Sequence, residues 1–213
     1  MRRVVTMVCV LLVAASLPLL AGINKGTVAG YYSVEASEYS FPELGSGAKV
    51  DVESTIMGLM VKGTSFTNPA NQLGYSYDVR VGKTNEYSVD GDEVEDTDDF
   101  PLRWDIGVYA AYQHDVSYDT FLEMGAGIQF GSQKETYEDS GDTISMEIFS
   151  AYIGGYAEIN YALNAMTFLN IGAKALIPIG GTLTLSVNSA SDETDIEMTG
   201  FALAPYVGVS FAY

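Results

Sequence analysis

The sequence predicts an all-β fold: a closed, antiparallel, up-and-down transmembrane β-barrel of about eight strands. Three observations support this prediction. Segments rich in strand-forming residues alternate with polar connections, and these connections are alternately short and long. Within the strand segments, large apolar residues occupy one face and small or polar residues occupy the other. The chain also begins with a basic and then apolar segment, which is typical of exported proteins.

The predicted strands are separated by two kinds of connection. The eight strands are predicted at residues 26–36, 49–65, 72–84, 100–113, 119–132, 143–160, 165–180 and 197–213. The connections after the second, fourth and sixth strands are short, and the other four are longer and acidic. No basic residue occurs from Thr84 to Phe100, for example. If both termini lie in the periplasm, the long connections are the external loops of an outer-membrane barrel.

The faces of the predicted strands indicate contact with lipid. In the fourth strand one face carries only apolar residues: Leu102, Trp104, Ile106, Val108, Ala110 and Tyr112. The opposite face is small, polar or occasionally charged, without the dense lysine and glutamate of a water-facing sheet. A soluble lipocalin-like carrier would need the reverse pattern. Because an open sheet edge is prohibitive in lipid, the strands are expected to close.

Composition limits the possible partners and chemistry. The 213 residues suit one domain, with 10 basic against 28 acidic residues and a formal net charge of −18. This charge argues against a nucleic-acid partner, because phosphate binding needs clustered lysine and arginine. The single cysteine, Cys9, lies in the N-terminal apolar run. A mature chain without that run has no thiol chemistry, and no cofactor is predicted.

The N-terminal segment is predicted to be a cleaved signal peptide. Two arginines follow Met1, and an apolar run continues to about Leu20. We assign residues 1–22 to the signal peptide and 23–213 to the barrel. A single membrane anchor is the alternative, although Pro18 interrupts the run near the lower length limit for a spanning helix.

The C-terminal residues resemble the last strand of bacterial outer-membrane proteins, which the barrel-assembly machinery reads. Val209, Phe211 and Tyr213 occupy alternate positions that end in an aromatic residue, and Tyr206 precedes them on the other face; these four residues carry the resemblance. With the signal peptide and the strand count, the mature chain resembles the OmpX-like, opacity-type and OmpA N-terminal barrels. The resemblance implies an outer-membrane location, with membrane lipid and the assembly machinery as partners. A single chain that closes on itself is expected to be a monomer.

Charged residues on the inward faces predict a network inside the barrel. They are Asp78, Arg80, Arg103, Asp105, Glu123, Glu158 and Lys174. An eight-stranded barrel is just wide enough for side chains to fill it, and buried charges need partners. These residues therefore predict a packed polar plug. A narrow gated channel, as in the similar OmpA-type barrel, is the alternative.

Other chemistry has weaker signals. Residues 90–99 are rich in carboxylates but lack the spacing of an EF-hand loop, so a solvated loop is favoured over a calcium site. The single histidine, His114, falls at a predicted periplasmic turn, which argues against a lipid-active enzyme. The sequence predicts a non-enzymatic barrel whose acidic external loops contact a host surface or envelope components. A narrow channel for ions or small solutes remains the alternative function.

Overall fold

The computed structural model describes residues 25–42, 49–68, 72–93, 102–139, 142–188 and 190–212. The predicted signal peptide and Tyr213 lie outside these residues, so both assignments stay predictions. Among the described residues, no helix is long and apolar enough to cross a membrane.

The described residues form one antiparallel sheet that closes on itself. Its strands are β1 (Lys25–Ser40), β2 (Lys49–Asn68), β3 (Leu73–Val89), β4 (Asp92–Glu93), β5 (Leu102–Asp115), β6 (Thr120–Asp139), β7 (Asp142–Ala162), β8 (Thr167–Val187) and β9 (Ala190–Ala212). Each long strand pairs with its neighbours in the chain, and β1 pairs with both β2 and β9. The two-residue strand β4 pairs antiparallel with the last residues of β3. The predicted eight-stranded up-and-down barrel is confirmed.

The barrel has two ends, which we call the base and the mouth. The base contains Lys25 and Ala212, which pair with each other, the ends of β2 and β3 at Asn68 and Leu73, and the connections at residues 116–119 and 163–166. The mouth is the opposite end, where β1 ends, β2 begins, and the β6–β7 and β8–β9 hairpins turn.

The strands extend further towards the mouth than the sequence predicted. Strands β6 and β7 pair as far as Asp139 and Asp142, and β8 and β9 pair as far as Val187 and Ala190. The prediction of long loops after the fifth and seventh strands is therefore wrong, since each connection has two residues. In the extensions of β7 and β8, threonine and serine alternate with apolar residues. Their polarity indicated a loop, but threonine also favours strands.

The wall of the barrel is apolar outside and polar inside. On β5, the outward side chains of Leu102, Trp104, Ile106 and Val108 are 40–54% exposed. The inward side chains between them are buried, and these include Arg103 and Asp105. A water-soluble protein would bury the first set and expose the second. The closed sheet with an apolar outer face is the arrangement that lipid requires.

The apolar outer face ends before the strands do. Phe130 and Phe149 stack on the outer face, with ring centroids 5.9 Å apart. The next outward residues towards the mouth are Ser132 on β6 and Glu147 on β7, and Ser132 donates a hydrogen bond to Glu147. An aromatic girdle followed by polar residues marks the membrane interface of such barrels. Strands β6–β9 therefore project beyond the lipid.

Candidate functional site

Among the described residues, ten charged side chains are buried in the lumen, five of each sign. All seven residues that the sequence placed inside belong to this set, and none is more than 7% exposed: Asp78, Arg80, Arg103, Asp105, Glu123, Glu158 and Lys174. The structure adds three that the sequence analysis missed: Lys25, Glu35 and Lys62. The prediction of three inward cations was therefore incomplete.

Four of these residues form a square near the base, which we call the basal square: Lys25, Lys62, Glu123 and Glu158. The Lys25 ammonium lies 2.5 Å from Glu123 and 2.7 Å from Glu158. The Lys62 ammonium lies 2.9 Å from Glu123 and 2.5 Å from Glu158. Each lysine thus contacts both carboxylates, and the square has no net charge.

Hydroxyl groups complete the coordination of the two carboxylates. The Tyr156 hydroxyl donates a 2.7 Å hydrogen bond to Glu123, and the Thr64 hydroxyl donates one of 3.0 Å. The Tyr206 hydroxyl donates a 2.8 Å hydrogen bond to Glu158. Buried charges are stable only when paired and hydrogen-bonded, and both glutamates meet that condition.

The remaining six charges form the upper cluster, between the basal square and the mouth: Glu35, Asp78, Arg80, Arg103, Asp105 and Lys174. Arg103 is central to this cluster. It donates to Glu35 at 2.5 Å and to the Tyr152 hydroxyl at 2.9 Å. It also contacts Asp105 at 3.1 Å, and Asp105 lies 3.3 Å from Arg80.

A second ion pair in the upper cluster joins β8 to β3 across the lumen. The Lys174 ammonium contacts the Asp78 carboxylate and donates a 3.1 Å hydrogen bond to the Tyr109 hydroxyl. Tyr109 in turn donates to Gln129 at 3.0 Å. The upper cluster contains three cations and three carboxylates, so it is also neutral.

Each of the five lumen cations also lies over an aromatic ring, at 4.3–5.7 Å from the ring centroid. The pairs are Lys25 with Phe121, Lys62 with Tyr156, Arg80 with Tyr31, Arg103 with Tyr152, and Lys174 with Tyr109. Such contacts are worth more when they are shielded from water. The rings also fill the space between the ion pairs.

The inward positions of Lys62 and Glu35 could have been predicted from the sequence. Lys62 follows the apolar segment 56–61, and a lysine within a membrane strand has to face the lumen. Glu35 follows Thr27, Ala29, Tyr31 and Ser33 on the inward face of β1. Lys25 was missed because it precedes the predicted first strand by one residue.

A small cavity opens above Arg103 at the mouth. Its volume is about 30 Å³, enough for about two water molecules. The Glu35–Arg103 pair contributes to its lining, and Tyr39, Tyr87 and Ile148 line it further out. Burial raises the pKa of the Tyr39 hydroxyl above its ordinary value. Of the upper cluster, Glu35 and Arg103 line the cavity, and Asp78, Arg80, Asp105 and Lys174 do not.

The mouth has a strong excess of negative charge. Among the described residues outside the lumen set, Asp115 and Asp119 are the only acidic residues near the base, and the other acidic residues lie on strand ends or connections at the mouth. The basic residues outside the lumen and the signal segment are Lys49, Lys83 and Lys134. Lys49 contacts Glu38 at 2.6 Å, and this hydrogen bond raises the pKa of the Lys49 ammonium.

Three further predictions fall on or near the ends of the barrel. Residues 94–99 of the acidic segment lie outside the described residues, so the interpretation of residues 90–99 as a solvated loop or calcium site stays open. Tyr206 points into the lumen and Phe211 lies on the outer face of β9, but recognition by the assembly machinery stays a prediction. His114 is exposed at the base end of β5.

Comparisons with known proteins agree with this architecture. No protein-family model matches the sequence, and no curated protein matches it. Among solved structures, the chain is similar to a major outer membrane protein from Thermus thermophilus, with a TM-score of 0.50 and 11% identity. That alignment covers 86% of this chain and 99% of the other. The fold is that of the outer-membrane β-barrels.

The chain is also similar to two other solved structures, one of a surface protein and one of a protease. Neisserial surface protein A has a TM-score of 0.45 and 17% identity over 88% of this chain and 97% of its own. The outer membrane protease OmpT from Escherichia coli has a TM-score of 0.47 and 7% identity over 89% and 97%. Neither of these two likenesses bears on the role of this chain. An outer-membrane location follows from this fold together with the apolar outer face.

Proposed function

We propose that this barrel is a non-enzymatic surface protein whose acidic mouth contacts cationic groups outside the cell, while its lumen stays closed to solutes. The observation that carries this proposal is the separation of charge: a neutral, filled lumen lies below a mouth with a large acidic excess. Clustered charge of one sign attracts oppositely charged partners from a distance.

The filled lumen supports the surface role over the channel alternative. Several of the bulkiest side chains in the described barrel are less than 2% exposed and lie across its interior, including Arg80, Tyr109, Lys62 and Lys174. Opening a path would break ion pairs in the basal square and in the upper cluster. Each broken pair would leave a charge buried without its partner.

The orientation of the mouth is part of the proposal. Outer-membrane barrels have short periplasmic turns and keep longer segments outside. Here the strands extend beyond the aromatic girdle at the mouth, whereas the base has turns of about four residues. We therefore orient the mouth towards the outside.

The position of His114 supports a non-enzymatic role. Hydrolytic enzymes commonly use a histidine as a general base beside their nucleophile. His114 is exposed at the base, on the side opposite to the mouth.

A cationic peptide without apolar side chains tests the proposed contact between the acidic mouth and cationic groups. The refolded protein, in nanodiscs of zwitterionic phospholipid, would be titrated with a short peptide of alternating lysine and serine. Two matched double variants each remove two charges: Asp192→Asn with Glu193→Gln at the mouth, and Asp115→Asn with Asp119→Asn at the base. All four positions are exposed.

The two variants should differ. We expect the mouth variant to weaken peptide binding several-fold, and the base variant to leave it unchanged, because screened charges act only over about 10 Å. Equal effects at both ends, or binding no stronger than that of empty nanodiscs, would contradict the proposed function.

A further inference from the structure

The projecting part of β7 and β8 has an apolar face that turns towards the barrel axis. We call this face the mouth patch: Ile144, Met146, Leu183, Leu185 and Val187. Ile144 pairs with Val187, Met146 with Leu185, and Ile148 with Leu183. Directly paired residues share a face of the sheet, and Ile148 lines the mouth cavity above Arg103.

The mouth patch reverses the pattern of the membrane wall. Residues on the opposite, outward face of the same segment are polar: Ser145, Glu147, Thr182, Thr184 and Ser186. Within the lipid-facing wall, apolar residues point outward instead. The patch is therefore not a continuation of the lipid-facing surface.

A bulge in β8 turns the β8 residues of the patch inward, whereas the inward face of β7 keeps its even-numbered positions throughout. Leu176 and Pro178 point inward below the bulge, and Ile177 and Ile179 point outward. The β8–β9 pairing is interrupted between Leu176 and Gly181, and the β7–β8 register shifts at the same level. Bulges redirect side chains in this way, often next to functional sites. Above the bulge the odd-numbered residues of β8 face inward.

The mouth patch is open at its tip. Leu185 and Val187 are each 47% exposed, and Ile144 and Met146 are half-buried. Deeper in the mouth, Ile196 and Met198 of β9 are buried. The apolar surface therefore continues from a closed floor to an exposed edge.

Acidic residues adjoin the exposed edge. Asp192 of β9 is paired directly with Leu185, and Glu193 and Asp195 are exposed on the same strand. A partner that covers Leu185 and Val187 has to approach through this negative field. An acidic partner or a second copy in the same orientation would be repelled, because like charges would face each other.

We propose that the mouth patch binds a basic amphipathic peptide segment of another protein, with its apolar side chains on the patch and its cationic ones on the acidic edge. This inference rests on the proposed function, because it names the class of partner for the same mouth. It adds that apolar contact, and not charge alone, selects the partner.

The test compares two peptides of equal charge, one alternating lysine with leucine and the other lysine with serine. Both would be titrated against the protein in zwitterionic nanodiscs, with the binding to empty nanodiscs subtracted. Leu185→Ser removes apolar surface from the patch. Leu163→Ser is the matched control, since Leu163 is 57% exposed in a turn at the base.

We expect the lysine–leucine peptide to bind at least about tenfold more tightly than the lysine–serine peptide, because a buried leucine contributes more than about 1.4 kcal/mol. Leu185→Ser should remove most of that difference, and Leu163→Ser should preserve it. If both peptides bind equally and depend on Asp192 and Glu193, the patch proposal fails and the proposed function stands. If neither peptide binds, both fail. An unchanged preference in Leu185→Ser also overturns the patch.

Discussion

The lumen and the mouth belong to the same closed sheet, yet they distribute apolar and charged residues in opposite ways. Inside the lipid-facing wall, charged side chains point inward and are neutralised in two clusters. Beyond the aromatic girdle, apolar side chains of β7 and β8 point inward and acidic ones remain exposed. The outer face of the lipid-facing wall carries methyl groups and aromatic rings. The outer face of the projecting strands carries hydroxyls and carboxylates, which water solvates.

This difference separates the residues that stabilise the barrel from those proposed to bind a partner. Buried, paired charges make the lumen intolerant of single changes, whereas exposed charges at the mouth contribute little to folding. The mouth is thus free to vary in charge without loss of the barrel. Substitutions matched between the lumen and the mouth test this difference.

The largest effect is expected in the basal square. Lys62→Met leaves two buried glutamates with one lysine, and should lower the free energy of unfolding by about 3–5 kcal/mol. Urea titration followed by the heat-dependent gel shift measures this change. Lys134→Met, at an exposed position of the mouth, is the control and should have almost no effect. Adding Glu123→Gln to Lys62→Met should recover part of the loss, whereas additive losses would show that the square is not coupled.

The next effect tests where along the strands the lipid-facing wall ends. Val108→Arg places a charge on the outer face of β5 and should destabilise the barrel by about 2–4 kcal/mol. Thr184→Arg lies on the outward face beyond the girdle, where we expect no measurable loss. Urea titration in phospholipid vesicles compares them. Equal losses would mean that the lipid extends over the projecting strands.

A smaller effect is expected at the bulge that turns the β8 residues of the mouth patch inward. Gly180 has a φ of 140°, a conformation that residues with a side chain rarely adopt. Gly180→Ala should therefore cost about 1–3 kcal/mol. Gly30→Ala, on the same sheet, has no positive φ and meets open space, so its unfolding midpoint should not fall. A neutral Gly180→Ala would argue against a strained bulge.

The smallest effect is expected for an ion pair at the mouth. The side chains of Lys49 and Glu38 are 59% and 35% exposed. Because water and salt screen this pair, Lys49→Ala should leave the unfolding midpoint unchanged at physiological salt. A clear loss of stability would show that exposed charges at the mouth contribute to folding as the buried charges of the lumen do.

The sequence was sufficient for the barrel because its pattern has a period of two residues. The alternation in β5, from Leu102 to Tyr112, predicted both the lipid face and the inward Arg103 and Asp105. The inward positions of Asp78 and Lys174 followed in the same way. Which carboxylate each cation contacts depends on strands far apart in the chain, as for Lys174 and Asp78, and was not predictable.

The mouth was not predictable for a different reason. A bulge changes the face of every later residue in its strand, and the two glycines at positions 180 and 181 were interpreted as the end of the strand, although glycine within a strand also marks bulges. Without that shift, Leu183 and Leu185 would be placed on the outer face. Alternating threonine and leucine therefore indicated a polar connection, although the residues form a strand with its own apolar face.

Single-channel conductance in a planar bilayer tests the central claim most directly. The full refolded protein would be inserted after its folding is confirmed by the heat-dependent gel shift. We expect no discrete conductance steps, because the basal square and the upper cluster fill the lumen with paired charges. Stable, reproducible steps that change in Arg103→Ala would contradict a closed lumen and favour the channel.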